Sequence, residues 1–434
     1  MRRFLTPFLM LCLVGFSARL GYQMARPPVL PRFAQEVGAD AWLIGLIIGA
    51  STLTGVFVKL PAGALSDVVG RRSMLLLGSA FFAFPPFLYL LVEDPYTLLG
   101  LRFLHGLATA IFSPVAAAAV ADLFQQGRGE KLGWFASANE VGSSFGPLMG
   151  GAILVALAGP GLVKFHVTML IVGGLGALTF LLALLLPIGQ AIPRNPTLAK
   201  GGIVGFQPPF EEGGQRGISA APKAGRWKQF QQGIGEVLSN QPILIASSVE
   251  AAMFLGVGAL LGFLPLYARN IVKLSDGYVG ILIWAPLVMA MAGKPVAGRI
   301  SDRIGRKPVI LVGLALCIAM LPLVPITGNF VGLLLEGAVF GLGMAIVTPS
   351  TTALVADLCK AGNYGAALGV FGTIWDIGEA AGPILAGSII FTLGTLETPS
   401  AYLVAFAAIA GAMALVGLIF GVTVREPEPV AQGV

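Results

Sequence analysis

Ionisable side chains stand inside long apolar runs at Arg19, Arg102, Glu140, Glu250, Glu336, Asp376 and Glu379. Each such charge costs about 2.5–3.5 kcal/mol on insertion scales, so these groups are expected to face a cavity or a partner. A carboxylate placed there can carry a proton: low dielectric raises its pKa, and a nearby arginine lowers it again. Asp376 and Glu140 are the first choices for that chemistry, with Glu250 next. Arg19, Tyr22 and Arg26 are spaced by three and then four residues, which puts them on one helix face. A cationic, hydrogen-bonding face of this kind suits an anionic or zwitterionic ligand. Trp284, Trp375 and Phe145 are candidates for an apolar part of the same cavity. The plainer reading of these charges is a static ion pair, such as Arg19 with Glu140 or Glu250, that holds helices in register.

The elements that must position these residues are membrane spans. The 434-residue chain is 56% hydrophobic and 11% charged, with a mean hydropathy of +0.86. Soluble domains carry about 25% charged residues, so lipid is the expected solvent. The 59 glycines fit close contact between membrane helices. Twelve runs are long enough to cross a bilayer. Their approximate limits are 5–30, 42–62, 73–92, 97–123, 131–157 and 163–187, then 241–268, 276–297, 308–327, 329–358, 364–392 and 400–423. Basic residues concentrate in one set of links, including Arg2, Arg3, Arg71, Arg72, Arg128, Lys131, Arg299, Arg303, Lys360 and Arg425. That bias places both termini and the middle link in the cytoplasm.

Residues 189–240 read as a Gly- and Pro-rich tether. Trp227, Phe230, Ile234, Val237 and Leu238 recur near its end at helical spacing, which suggests an amphipathic surface helix over 226–239. Residues 426–434 read as a cytoplasmic tail. The scattered Cys12, Cys317 and Cys359, with only two histidines, offer no disulfide framework or metal set. No metal or cofactor is expected. Without a phosphate loop or a nucleophile elbow, an enzyme is not expected either. The net charge of +6 is read as topology, not nucleic-acid binding.

The chain is also built twice. Gly63-Ala-Leu-Ser-Asp67-Val-Val-Gly70-Arg71-Arg72 links the second and third runs, and Gly298-Arg-Ile-Ser-Asp302-Arg-Ile-Gly305-Arg306-Lys307 links the eighth and ninth. Asp67 and Asp302 are 235 residues apart, and so are Lys59 and Lys294, Pro114 and Pro349, and Asp122 and Asp357. In each link the glycines permit a tight turn. The acid and the arginine four residues later meet on a helical turn. Asp122 and Asp357 are the expected second acceptors for Arg71 and Arg306. The fifth run carries Gly142, Gly146, Pro147, Gly150 and Gly151, and the eleventh repeats Gly378, Gly382, Pro383 and Gly387. Glycines four apart allow close helix packing, and the proline bends the helix. Glu140 and Asp376 are mates in this repeat, 236 residues apart.

The duplicated links resemble the signature of the major facilitator superfamily. Arg102-Phe-Leu-His-Gly106 resembles its fourth-span motif, and Gly142 to Gly151 its fifth-span antiporter motif. The resemblance covers nearly the whole chain and points to the twelve-span drug–proton antiporters. It implies an all-α polytopic protein of two pseudo-symmetric six-helix bundles, 1–188 and 241–425, that rock against each other. It further implies that the duplicated links latch the cytoplasmic ends together, and that the fifth-span motif seals the cavity. Many drug exporters of this family place acids in the first span; here Arg19 stands there instead.

The expected function is therefore proton-coupled antiport that exports a small amphipathic compound, from a monomer in the cell membrane. The alternatives are uptake of an organic anion, lysolipid movement, or a sensor on a transporter fold.

Overall fold

The computed structural model describes residues 2–124, 128–157, 159, 161–187, 235, 237–359 and 364–424, without the side chains of 2–6, 67, 68, 128 and 364–366. The tether, the tail and most of the surface helix expected over 226–239 lie outside the described residues.

Among the described residues, twelve long helices form the fold. They are α1 (Arg2–Met24), α2 (Ala41–Val69), α3 (Arg71–Ala83), α4 (Pro95–Leu123), α5 (Arg128–Ala156) and α6 (Val163–Leu184), then α7 (Gln241–Asn270), α8 (Asp276–Ile304), α9 (Arg306–Met320), α10 (Phe330–Leu358), α11 (Tyr364–Leu393) and α12 (Pro399–Thr423). Among the described residues, ten helices are both long and apolar enough to cross a membrane. The two others have physical reasons to fall short. Asn139, Glu140, Ser143 and Ser144 lower the hydropathy of α5, and α9 is regular for only 15 residues. Expected limits shift for similar reasons. The first run ends at Met24 rather than near residue 30, ahead of Pro27 and Pro28, and a short helix follows at Val29–Glu36. The third run breaks at Phe84 before Pro85, continuing as Pro85–Leu88 and a 3₁₀ turn at Tyr89–Leu91.

The duplication reaches the helix ends. Asp94 caps α4 by accepting from the amides of Tyr96 and Thr97, and Asn329, 235 residues on, caps α10 from Gly332 N. The Thr97 hydroxyl, with those amides, holds the Asp94 carboxyl below its ordinary range. Gly70 and Gly305 turn α2 into α3 and α8 into α9 with φ of +102° and +109°. A side chain is disfavoured at such φ, so glycine is required there.

The end of the molecule that holds these two turns is called the latch end here, and the opposite end the far end. The buried apolar side chains form two clusters. One runs across both halves at the far end, joining Val29, Phe33, Ile44 and Ile48 to Val257, Phe263, Leu264 and Ile390. The other, with Leu11, Val14, Met74, Val120 and Phe135, stays within the N-terminal half. The halves thus share a core at the far end. Nearer the latch end, Leu60 of α2 still lies against Gly369 of α11, and a Cβ on Gly133, Gly298 or Gly372 would meet nothing within 4 Å among the described residues.

Candidate functional site

The glycines of α5 and α11 set the walls of the cleft between the halves. Gly142, Gly146 and Gly150 lie against the α1 backbone at Phe16, Gln23 and Met24. Gly378 and Gly382 lie against α7 at the carbonyls of Ala251 and Leu255. The last glycine of each set faces the other half: Gly151 meets Asp276 and Gly280 of α8, and Gly387 meets Ala41 of α2. Gly45 approaches the backbone at Pro383, and Gly280 that at Pro147, while Gly258 approaches Glu379 within the C-terminal half. Backbone is close to backbone at these cross-half contacts, and a side chain at Gly151 or Gly387 would separate them.

Among the described residues, four ion pairs cross between the halves. Lys59 of α2 reaches Asp376 of α11 at 2.5 Å. Lys294 of α8 pairs with Glu140 of α5. These two pairs are repeat mates, each running from the second helix of one half to the fifth helix of the other. Each lysine is about ten residues from the latch end of its helix, roughly 15 Å or half a bilayer. Nearer the far end, Arg26 pairs with Glu379 at 2.9 Å and Arg32 with Asp276 at 2.7 Å. The pairs place both expected carboxylates at the interface, but with lysines rather than arginines. Lys59, Lys294, Arg32 and Asp276 were not among the expected site residues. The available signal was a lysine inside an apolar run, repeated at an offset of 235, one residue short of the 236 of its acid.

Arg19 does not pair with Glu140 or Glu250; it donates to the Ser113 hydroxyl of α4 at 3.1 Å. Those two acids are held elsewhere, Glu140 by Lys294 and Glu250 by Thr351, which donates at 2.5 Å. Glu250 is fully buried within the C-terminal half, and its Oε1 has no partner. Arg26 lies beyond the end of α1, so it does not continue the helix face of Arg19 and Tyr22, yet its guanidinium sits 5.9 Å from the Tyr22 ring. Arg102 lies at the same distance from that ring. It is wholly buried and donates to Ser51 at 2.5 Å, while its Nε and Nη1 have no partner among the described residues. His105, one turn on, meets Tyr89 at 3.3 Å and the Tyr22 ring at 5.0 Å.

Glu336 is not brought to the interface. It accepts from Thr327 inside the C-terminal half near the far end. Trp375 stacks on Phe254 with ring centres 5.0 Å apart, and Lys59 lies 5.9 Å over its ring. The Trp284 Nε1 is buried without a partner, and Phe145 is exposed.

The two duplicated links have matching contacts. Arg71 pairs with Asp122 at 2.9 Å and donates to Ser66. Arg306 pairs with Asp302, reaches Asp357 at 3.4 Å and donates to Ser301 at 3.3 Å. Arg72 donates to the Leu184 carbonyl at 3.1 Å. The side chain of Asp67 lies outside the described residues. Every one of these contacts stays within its own half. Among the described contacts, the links brace each half internally.

The sequence model described as Major Facilitator Superfamily matches residues 11–291 and 246–434. An uncharacterized MFS-type transporter of Methanocaldococcus jannaschii is 24% identical over 391 residues, 90% of each chain. Quinolone resistance protein NorA of Staphylococcus aureus is 28% identical over 148 residues, 34% of this chain and 38% of that protein. A solved bacterial homolog of the human lysosomal transporter Spinster, inward-facing and unoccupied, superposes with a TM-score of 0.74 at 15% identity, covering 96% of this chain and 95% of its own. At that identity the likeness concerns the fold.

Proposed function

The chain belongs to the Major Facilitator Superfamily, and on that premise we propose that it exports a small amphipathic organic compound in exchange for protons, by alternating access. Family membership and fold make it a multi-pass membrane transporter of a small molecule, and not an enzyme. The finer reading is carried by one observation: Asp376, with its side chain 3% exposed, is held at 2.5 Å by a lysine from the opposite half.

Rocking the halves changes how α2 lies on α11. It therefore changes how firmly Lys59 holds Asp376. A carboxylate in low dielectric that loses its ammonium partner takes up a proton. Proton binding is thereby tied to which end of the cleft is open, and a carrier with that property exchanges protons for substrate. Glu140 and Lys294 form the matching tie on the other side of the cleft. The latch end, by its basic residues, is the cytoplasmic one.

The test uses the purified full-length protein in proteoliposomes of known orientation. A fluoroquinolone is the first probe, chosen from the name of the NorA relative. An inward proton gradient is expected to drive the probe outward, and Asp376→Asn is expected to remove that dependence. Flux indifferent to the gradient sinks the proposal.

A second reading, proton-coupled uptake of an organic anion, is favoured by Arg19 and Arg102, which have no acid partner among the described residues. Probe and proton moving in the same direction would establish it instead.

A further inference from the structure

A small pocket between the halves, on the far side of the Lys59–Asp376 pair, is lined by Gln23, Arg26, Leu30, Ile48, Leu261 and Glu379; its volume of about 20 Å³ has room for about one water. Its polar groups are only half satisfied. The Arg26 guanidinium gives one nitrogen, Nη2, to Glu379 at 2.9 Å and to Thr52 at 3.5 Å. Arg26 Nε is buried with no partner among the described residues, and so is Gln23 Oε1. An unmade donor and an unmade acceptor thus flank a single ion pair, in walls that are otherwise apolar. Buried polar atoms without partners are rare in folded proteins and mark places where something else binds.

A guanidinium with Nε and Nη2 aimed together holds a carboxylate through two parallel hydrogen bonds. If a ligand carboxylate takes Arg26, Glu379 is left buried without a cation, which is costly. A ligand ammonium removes that cost, and Gln23 Oε1 can accept from one of its hydrogens. An anion alone strands Glu379, and a cation alone strands Arg26.

We infer that this pocket is the charge-recognition subsite for the transported compound and that it takes a zwitterion. The carboxylate lies on Arg26 and the ammonium between Glu379 and Gln23, and the walls at Leu30, Ile48 and Leu261 part to admit the apolar body. The inference rests on the transport reading and adds the substrate class to it. It also links binding to movement, because Arg26 and Glu379 belong to opposite halves. A zwitterion that takes the place of their bond loosens one of the four ties across the cleft.

The test is thermal unfolding of the purified full-length protein in detergent, where no gradient is involved. Two matched triplets serve as probes. One is phenylalanine, 2-phenylethylamine and 3-phenylpropionate. The other is a fluoroquinolone, its decarboxylated form and its N-acetylated form. Stabilisation by the zwitterion of at least one triplet is expected at about tenfold lower concentration than by either single-charge partner. Equal or stronger stabilisation by a single-charge partner in both triplets overturns the inference, and so does failure of both zwitterions.

Arg26→Gln and Glu379→Gln should each erase the preference. Where these variants do not fold, Gln23→Leu keeps the ion pair and removes only the acceptor. It should weaken the zwitterion by about tenfold, and unchanged zwitterion affinity in Gln23→Leu counts against the subsite. Zwitterion binding without gradient-driven flux leaves this subsite standing and removes the antiport reading. Gradient-driven flux without zwitterion preference does the reverse.

Discussion

The Lys59–Asp376 and Lys294–Glu140 pairs began as one arrangement and have been placed in different surroundings. Each joins the second helix of one half to the fifth helix of the other, and their lysines are similarly exposed, at 37% and 32%. Their acids differ. Asp376 is 3% exposed and Glu140 is 40% exposed. Around Asp376 the chain places Trp375 stacked on Phe254, with Gly55 close by. Glu140 instead follows Asn139 and precedes Ser143 and Ser144 on α5. Duplication supplied the geometry twice, and the neighbours then decided which carboxylate left the water. Only a dehydrated carboxylate changes its proton affinity strongly when its partner moves. The two pairs should therefore divide the work, with Asp376 carrying the proton and Glu140 acting mainly as a strut.

The largest effect that separates them is on coupling. Asp376→Asn is expected to bring gradient-driven flux to background while exchange at equal pH stays within about twofold of the parent. Glu140→Gln is expected to keep gradient-driven flux within about tenfold. Both are read in the same proteoliposomes by pH-jump uptake. If Glu140→Gln uncouples and Asp376→Asn does not, the burial argument is wrong and the exposed acid is the carrier.

The lysines offer a second, smaller contrast, in stability. Lys59→Gln strands a buried carboxylate, a change that costs about 3–5 kcal/mol for a fully buried pair. Lys59 is partly exposed, so about 1–3 kcal/mol is expected after allowing for solvent screening. Lys294→Gln strands an acid that water already reaches, and should cost under about 1 kcal/mol. Thermal unfolding in detergent measures both. The double variant Lys59→Gln with Asp376→Asn should recover most of the loss, because a coupled pair is non-additive.

The fold was legible because its signals are local or periodic. Apolar length marked the spans, and the constant spacing of 235 between Asp67 and Asp302 revealed the duplication. Gly70 and Gly305 could be read as turns because few other residues take their φ. Cross-half partners were not legible. No period relates Lys59 to Asp376, 317 positions away, so only tertiary packing brings them together. Arg19 was open to several acids on paper, but Ser113 lies at hand and both candidate acids are engaged elsewhere. Glu336 reads as a buried charge like the others. Its neighbour Thr327, nine positions before it, draws it away from the cleft.

The smallest expected effect concerns the links. In this state the cross-half ties hold the two bundles together, and the link contacts brace each bundle internally. Arg71–Asp122 and Arg306–Asp357 leave their acids 39% and 47% exposed. Exposed pairs of this kind contribute about 0.2–1 kcal/mol. Arg71→Ala and Arg306→Ala should therefore each lower stability by under about 1 kcal/mol. Both should cost less than Lys59→Gln under the same conditions. An Arg71→Ala loss equal to that of Lys59→Gln would mean that the link already ties the halves in this state. The division between cross-half ties and internal braces would then fail.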